Sequence, residues 1–326
     1  MFNASYTDIT DWAEQQHLGT LGSREKCWVI NPKDGRSYFF KRSYKKQVID
    51  YKSEFWMEII ASKIGQMLGL EMVDYNIAKR GEALGCLCCH MCKEGETLVE
   101  LTKMFTGYDE DYNPEKDQEA YTFDFVVKTL RHHNLEKHVA RFIEVLVFDA
   151  IIGNQDRHQD NWGMIMSISQ QSTKTRRKIL SFYKRVEKKW SEARVAPIYD
   201  SGSSLGRELT EEKVKQMCTD KVQFDSYVRR GKPELRWEDV KISYNELIEK
   251  LLNDVEFGNK TYDIIKRLTD KFDEEKVISI IENIDNALPT ELNSQRLTAD
   301  RKQFIIKLIS TRVSGLKETL SNNAKK

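Results

Sequence analysis

The sequence predicts an α+β protein with two lobes, a small strand-rich N-terminal lobe and a larger helical C-terminal lobe. Three observations predict this division. Short apolar runs separated by turns fill the first part of the chain, with one strong amphipathic helix among them. After that part, apolar residues recur mainly at helical spacing. Between the two parts stands the polar break Lys93-Glu94-Gly95-Glu96, so we place the lobes at residues 1–93 and 94–326.

Composition places the chain among globular proteins and gives few global clues to a partner. Hydrophobic residues make up 40% and charged residues 32% of the 326 residues, a balance that excludes disordered and fibrous chains. The formal net charge of +1 gives no overall attraction to nucleic acid, so a nucleic-acid partner is not expected. The sequence contains no run of about 18 apolar residues, so no membrane span is expected. The segment from Met1 to Gly19 is polar and does not resemble a signal peptide.

Four of the six cysteines, Cys86, Cys88, Cys89 and Cys92, fall within seven residues. A disulfide framework does not crowd its cysteines in this way, so we expect a reducing, cytoplasmic compartment, with export or translocation into a host left open. Zinc binding is the alternative use of the cluster. Zinc sites usually pair two ligand-bearing stretches, however, and the sequence has no second one. We therefore interpret the cluster as part of an apolar strand.

The N-terminal lobe is predicted to contain four strands, one strong helix and one short helix. Ile9, Trp12 and Ala13 stand at helical spacing and predict the short helix over Thr7 to Gln16. The strong helix covers Ser53 to Leu68 and is stopped by Gly69. The strands are predicted at Cys27 to Ile30, Arg36 to Phe40, Met72 to Lys79 and Leu84 to Met91.

Three weak signals in this lobe point to phosphate binding. The loop from Gly19 to Ser23 carries Gly19 and Gly22 ahead of a strand, which suits close approach of backbone N–H groups to phosphates, although an ordinary turn would look the same. Lys41 ends a strand and could pair with phosphates, although such a lysine is more often a solvated strand end. Glu54, in the first turn of the strong helix, could pair with Lys41 or simply suit the helix dipole.

The strongest signal is a polar loop at residues 153–163 of the C-terminal lobe. In it, Asp156 and Asn161 stand five positions apart. That is the spacing of the catalytic loop of protein kinases, where the aspartate accepts the substrate hydroxyl's proton and the asparagine binds Mg²⁺. Downstream, an apolar strand ends in Asp200-Ser201-Gly202, where kinases carry a second Mg²⁺ ligand. Each signal is common alone, but all five follow one another in the order of a kinase.

Much of the remaining C-terminal lobe is predicted to be helical, and Ser243 with Glu246 forms a capping box. The helices are predicted at Tyr121 to Leu130, Leu135 to Ile152, Leu247 to Val255, Tyr262 to Phe272, Glu275 to Ile284 and Ala299 to Leu320. One segment, the basic insert at 169–194, has two interpretations. It could dock an acidic partner, or it could be a peripheral helix with a solvated charged face, and we favour the second.

The resemblance to a known family rests on two strings of residues. They are Gly153-Asn154-x-Asp156-Arg157-His158-x-x-Asn161-Trp162-Gly163 and Ala196-Pro197-Ile198-Tyr199-Asp200-x-Gly202-Ser203. Both resemble the HipA-like serine/threonine kinases of bacteria. The resemblance implies a two-lobed fold related to protein and phosphoinositide kinases, and an activity that requires ATP and Mg²⁺.

The resemblance also implies roles for individual residues. Asp156 would be the catalytic base, and Asn161 and Asp200 the Mg²⁺ ligands. Lys41 would hold the α- and β-phosphates of ATP with Glu54 as its partner. The implied nucleotide contacts further comprise the loop residues Gly19, Thr20, Gly22 and Ser23 and the backbone near Cys89 to Cys92. Some relatives autophosphorylate in the glycine loop, which makes Thr20 and Ser23 candidate sites.

These observations predict a serine/threonine protein kinase that acts on a protein hydroxyl and also autophosphorylates. HipA itself works with a DNA-binding antitoxin, so the resemblance offers a cognate antitoxin or regulator as a candidate partner. Two alternatives stay open. The acceptor could be a lipid or small molecule, because phosphoinositide-type kinases share a similar plan, or the chain could be a nucleotide-binding regulatory protein without turnover.

Overall fold

The computed structural model of the chain describes residues 2–15, 26–43, 53–167 and 192–323. Two predicted features therefore lie outside the described residues. One is the glycine loop, with Gly19, Thr20, Gly22 and Ser23. The other is the basic insert up to residue 191, so its predicted helix is not assessed.

The first lobe is built on a curled six-stranded sheet. Its strands are β1 (Tyr6–Asp8), β2 (Ala13–Glu14), β3 (Lys26–Ile30), β4 (Ser37–Arg42), β5 (Asn76–Arg80) and β6 (Ala83–Cys89). They lie in the order β1-β5-β6-β4-β3-β2, with β1 parallel to β5 and the other neighbours antiparallel. The four strands predicted from the sequence are thus present as β3 to β6. Because β1 and β2 come from one short segment yet lie at opposite edges, the sheet curls around that segment.

The helix predicted over Thr7 to Gln16 is wrong, since β1 and β2 occupy that segment. Ile9 is fully buried inside the curled sheet with Val29 and Phe40. The Trp12 amide donates to the Ile9 carbonyl at 3.1 Å, which closes a turn. The apolar residues at a spacing of three therefore belong to a turn that covers the interior of the sheet. The backbone groups of this segment form hydrogen bonds with neighbouring strands instead of with each other in a helix.

The cysteine cluster lies in and just after β6, as the strand interpretation predicted. Cys86 and Cys88 are buried in the main core, and burial raises the pKa of both thiols well above the usual value. A thiol held in its protonated form is a poor metal ligand, because zinc binds the thiolate. In the described ranges, no group of three or more His, Cys, Asp or Glu side chains could hold a metal ion.

Helix α1 (Glu54–Met67) is the predicted strong helix and packs against β4 and β6. Ser53 is its N-cap, and Gly69 follows its C-cap with φ +77°, a left-handed conformation that suits glycine. Almost the whole helix is buried, including its polar residues, because the second lobe covers the side that the sheet leaves open. Its carboxylates are therefore placed between the lobes.

The second lobe combines helices with a small antiparallel sheet. The sheet has the order β7-β8-β9 and consists of β7 (Glu96–Glu100), β8 (Gly163–Ser167) and β9 (Arg194–Val195). The described helices are α2 (Leu101–Tyr108), α3 (Phe123–His132), α4 (Val139–Ile152), α5 (Glu211–Thr219), α6 (Lys221–Arg230), α7 (Tyr244–Leu252), α8 (Gly258–Lys271), α9 (Glu274–Glu282) and α10 (Ala299–Asn323). The predicted helices correspond to α3, α4 and α7 to α10, with ends shifted by a few residues. No helix within the described ranges is both long and apolar enough to span a bilayer.

The site is positioned by α4, which is buried among the other helices. It contacts α7, α8 and α10, and its apolar residues belong to the main core. The capping box that opens α7 is present at Ser243 and Glu246. An isolated backbone bridge from Met72 to Ile198 connects the chain after α1 with the segment that leads from β9 to Asp200. The end of α4 and the end of that segment consequently meet beside α1.

Candidate active site

The polar loop at 153–163 begins where α4 ends. Gly153 adopts the left-handed conformation at φ +66°, and a Cβ there would lie 3.0 Å from the Arg312 guanidinium. Glycine therefore lets the chain turn sharply off the helix against a buried arginine. Asp156 and Asn161, the two candidate residues of the loop, are linked by a hydrogen bond. The Asn161 side-chain amide donates to the backbone carbonyl oxygen of Asp156 at 2.8 Å. A short 3₁₀ turn, Gln159–Asn161, creates this contact.

Arg157 fixes this loop in place and was missed as a functional residue by the sequence analysis. Its side chain is 1% exposed and forms hydrogen bonds of 2.9 and 3.0 Å to the two carboxylate oxygens of Asp149 in α4. Burial alone would lower the pKa of Arg157, but the charge and hydrogen bonds of Asp149 raise it above its usual value. The guanidinium is thus a permanent, fully charged anchor.

The same guanidinium reaches the segment that carries Asp200. It donates to the carbonyl oxygens of Asn161 and Tyr199 at 3.0 and 2.5 Å, and to the Ser201 hydroxyl at 3.0 Å. One side chain therefore ties together α4, the 153–163 loop and the segment around Asp200. A signal was available in the sequence, since Asp149 is a charged residue inside an otherwise apolar run and needs a buried partner.

Lys41 and Asp200 meet across the two lobes. The Lys41 ammonium lies 2.5 Å from Oδ1 of Asp200, and Lys41 is 5% exposed. Asp200 itself has φ +52°, an uncommon conformation for a residue other than glycine, while its side chain is 29% exposed. The carboxylate is therefore held toward the lysine and is still open on one side.

The helix carboxylate that pairs with Lys41 in the structure is Glu58, one turn after the predicted Glu54. Glu58 Oε2 accepts from Lys41 at 2.9 Å, and the two Glu58 oxygens also accept from the backbone N–H groups of Ser201 and Gly202 at 2.6 and 3.1 Å. Glu54 lies close by on the same helix face. Its Cγ is 3.3 Å from the position that a Cβ on Gly202 would occupy. The structure thus pairs Lys41 with Glu58, a second glutamate of the helix for which Glu54 was predicted.

We expect Glu58→Gln to lower the free energy of unfolding by about 1–3 kcal/mol, since it weakens charge-assisted hydrogen bonds among buried groups. Denaturant unfolding measures the change, and the exposed Glu318→Gln on α10 is the matched control. Glu54→Gln distinguishes the two carboxylates. A larger loss for Glu54→Gln than for Glu58→Gln would contradict the assignment of Glu58.

Ser203 holds the side chain of Asp156, a second contact that the sequence analysis did not identify. The Ser203 hydroxyl donates to Asp156 Oδ2 at 3.1 Å, and the Gln155 amide donates to the Ser203 carbonyl oxygen at 3.2 Å. Ser203 is 8% exposed, so its position is fixed by the surrounding chain. The segment after Asp200 therefore returns to orient the carboxylate that the loop carries.

Asn161 and Asp200 are suited to a hard divalent cation. The Asn161 side-chain nitrogen donates to the Asp156 carbonyl, so the amide oxygen is the atom that would face a metal ion. One amide oxygen and one carboxylate are the ligands that Mg²⁺ prefers, because this ion keeps several waters and takes further oxygens from phosphates. Within the part of the chain that the structure describes, the donor set therefore fits Mg²⁺ better than a soft metal.

The segment from Cys89 to Cys92 connects the two sheets. The His90 amide donates to the Ser37 carbonyl at 2.9 Å, which holds the segment to β4. Cys92 is buried with Ile165 of β8 and Ala196, and burial raises the pKa of its thiol. The segment thus passes beside the strand that leads to Asp200. Its contact with adenine stays a prediction.

The curled sheet with one helix packed on it, the helical second lobe and the lysine, glutamate and aspartate between them define a kinase-like fold. In its fold the chain is similar to the Helicobacter pylori proinflammatory kinase CtkA, with a TM-score of 0.77 and 18% identity over 98% of this chain and 97% of that one. It is also similar to a chain of the Shewanella oneidensis toxin–antitoxin complex of HipA, HipB and operator DNA, with a TM-score of 0.52 and 12% identity over 94% of this chain and 66% of that one. The prediction of a HipA-like, two-lobed α+β fold is confirmed. No protein-family model matches the sequence, and no curated protein matches it either.

Proposed function

We propose that this protein is a serine/threonine protein kinase that uses ATP and Mg²⁺. The observation that carries the proposal is the contact of Lys41 with both Glu58 and Asp200, next to a loop that holds Asp156 and Asn161. A cation for phosphates, oxygen ligands for a metal and a carboxylate for the acceptor hydroxyl are the groups that phosphoryl transfer needs. The kinase-like fold supports the same conclusion.

In the proposed reaction, the acceptor oxygen attacks the γ-phosphorus of ATP, the bond to the β-phosphate oxygen breaks, and ADP leaves. Asp156 orients the acceptor hydroxyl and takes its proton. Lys41, braced by Glu58, binds the α- and β-phosphates. Asn161 and Asp200 would hold the Mg²⁺ ion, which would neutralise phosphate charge. The loop from Gly19 to Ser23 and the backbone near Cys89 to Cys92 complete the proposed nucleotide site.

Transfer of label from γ-labelled ATP tests the proposal. The acceptors are the chain itself, a generic protein mixture and a panel of lipids and small molecules, with EDTA as the metal-free control. We expect Mg²⁺-dependent label on serine or threonine of a protein, located by phosphosite mass spectrometry, which also examines Thr20 and Ser23. Label only on a lipid or small molecule, or no label on any acceptor, would overturn the proposal.

Ser203→Ala should lower the turnover number by about 10-fold, the effect of one lost hydrogen bond of about 1.4 kcal/mol that orients the base. ATP affinity should stay unchanged, because Ser203 contacts Asp156 and not the predicted phosphate-binding residues. Ser203→Thr, which keeps the hydroxyl, is the matched control and should retain most of the activity. Equal loss in both variants, or a loss confined to ATP binding, would show that the hydroxyl does not orient Asp156.

A further inference from the structure

A groove on the second lobe lies outside the site described above. It runs between α3, the tight turn at 237–240 and the loop after α7, and it encloses about 460 Å³. Its floor consists of Phe123, Val127, Trp237 and Phe257, and we call it the aromatic groove. Neither the proposed nucleotide site nor the proposed catalytic residues use it.

The floor of the aromatic groove is rigid. The rings of Phe123 and Trp237 stack with their centroids 5.5 Å apart and an interplanar angle of 11°. Phe257 contacts Phe123 edge-on, with a centroid distance of 5.7 Å. Phe123 and Phe257 are each 5% exposed, whereas Trp237 is half-buried and presents part of its ring to the groove. An accessible indole above packed rings suits the aliphatic stem and the cationic head of a lysine or arginine.

Acidic side chains surround this floor. The carboxylates among the lining residues are Asp124, Glu238, Asp239, Asp254 and Glu256, and the one cation among them is Arg131. Arg131 is bound by both carboxylate oxygens of Glu256, so the rim already recognises one guanidinium of this chain. Glu238 and Asp239 are exposed at the tip of the turn and form no ion pair with another described residue. Asp124 pairs with Lys128 and Glu256 pairs with Arg131, so the rim carboxylates without an ion pair among the described residues are Glu238, Asp239 and Asp254.

Exposed apolar side chains flank the same groove. Among the described residues, four large hydrophobic side chains are strongly exposed, namely Val222, Val240, Val255 and Ile278. Two of them are chain neighbours of residues that line the groove, since Val240 follows Asp239 and Val255 lies between Asp254 and Glu256. Exposed apolar residues beside an aromatic floor and an acidic rim are typical of a surface that binds another chain.

The groove is connected to the catalytic loop through packed rings. Phe123 stacks on Phe142 of α4 at 6.3 Å, and Phe142 contacts Trp162 at 5.2 Å. Trp162 directly follows Asn161 in the chain. A segment bound in the groove would therefore be held at a fixed separation from the catalytic loop.

We infer that the aromatic groove docks a basic segment of the protein substrate, with a lysine or arginine over Trp237 and an apolar neighbour against Val240 or Val255. The inference rests on the proposed kinase function, because it assigns the occupant as a substrate. Docking at a second surface raises the local concentration of the acceptor hydroxyl without new contacts at the reacting atoms. Charge complementarity identifies the occupant as basic.

Selection from a randomised peptide library tests the binding step without ATP. The full chain is expected to enrich peptides that carry lysine or arginine next to an apolar residue. The double variant Glu238→Lys/Asp239→Lys should lose this enrichment. The control Glu275→Lys/Glu318→Lys carries the same charge change on exposed positions of α9 and α10, and it should select the same peptides as the wild type. No basic enrichment with the wild type, or equal enrichment with Glu238→Lys/Asp239→Lys, would overturn the inference.

A second measurement separates docking from catalysis. A selected peptide fused to a serine acceptor should show a KM at least 10-fold lower than the unfused acceptor, and the groove variant should abolish that gain while leaving turnover of the unfused acceptor unchanged. An unchanged KM on fusion would overturn the substrate assignment. If basic peptides are selected but no phosphate moves to any acceptor, the kinase proposal fails and the groove remains a binding surface for basic segments.

Discussion

Asp156→Asn is expected to reduce phosphate transfer by about 10²- to 10⁴-fold while the fold and ATP binding are retained. Asparagine keeps the shape of the side chain, and its carbonyl oxygen can still accept from the Ser203 hydroxyl. It lacks the basic carboxylate that would take the proton of the acceptor, so the loss should fall on the turnover number. Label transfer from γ-labelled ATP measures turnover, and the thermal shift caused by Mg²⁺ and ATP measures binding.

The same loop supplies the matched control for this change. Asp160 is an exposed carboxylate four residues after Asp156, and its backbone carbonyl, not its side chain, accepts from the Tyr199 hydroxyl. Asp160→Asn should therefore leave phosphate transfer within about twofold of the wild type, as is usual for a surface position. Comparable losses in the two variants, or wild-type turnover in Asp156→Asn, would remove Asp156 from the reaction.

Arg157→Met should destabilise the protein by about 3–5 kcal/mol, the usual cost of leaving one partner of a buried ion pair alone. Asp149 is fully buried, and methionine would leave its carboxylate without a counter-charge. The change would also release the carbonyl oxygens of Asn161 and Tyr199 from their shared donor. Denaturant unfolding monitored by circular dichroism measures the loss.

Two further variants make this expectation specific. Arg229→Met, at an exposed position of α6, is the control and should change stability by less than about 0.5 kcal/mol. The double variant Arg157→Met/Asp149→Leu should lose less free energy of unfolding than the two single variants lose in total. Removing both charges leaves no unpaired charge in the core. Additive losses in the double variant would show that the ion pair does not hold the loop.

Local patterns were enough to predict most of the elements that carry the site. Helix α1 and strand β4 follow from apolar periodicity, and the polar loop follows from the end of an apolar helix at Gly153. The short helix at the N-terminus was predicted from the same kind of spacing and is wrong. Its residues pair with β5 and β3, strands that come later in the sequence, since Tyr6 pairs with Ile77 and Ala13 pairs with Ile30. Tertiary pairing overrides weak local preference in such short segments.

Contacts between distant residues could not be predicted from spacing. Glu54 and Glu58 lie one turn apart on the same helix face, so sequence alone gave no means to decide which one pairs with Lys41. The Ser203 contact with Asp156 joins residues 47 positions apart, and the Arg157 contact with Tyr199 joins residues 42 positions apart. Both depend on how the segment around Asp200 returns to the 153–163 loop.

The contact between Lys41 and Asp200 means that, in the proposed kinase, nucleotide binding would be an exchange of partners. The cation proposed for phosphate and the carboxylate proposed for metal neutralise each other across the lobes at 2.5 Å. A ligand that brings only negative charge would draw Lys41 away from Asp200, and a metal ion alone on Asp200 would place a second positive charge near Lys41, which would keep Glu58 as its partner. A metal–nucleotide complex would give Lys41 a phosphate and Asp200 a metal ion at the same time. In the proposed kinase the pair would therefore favour the complex over either component, and we expect the metal ion and the nucleotide to bind with positive cooperativity.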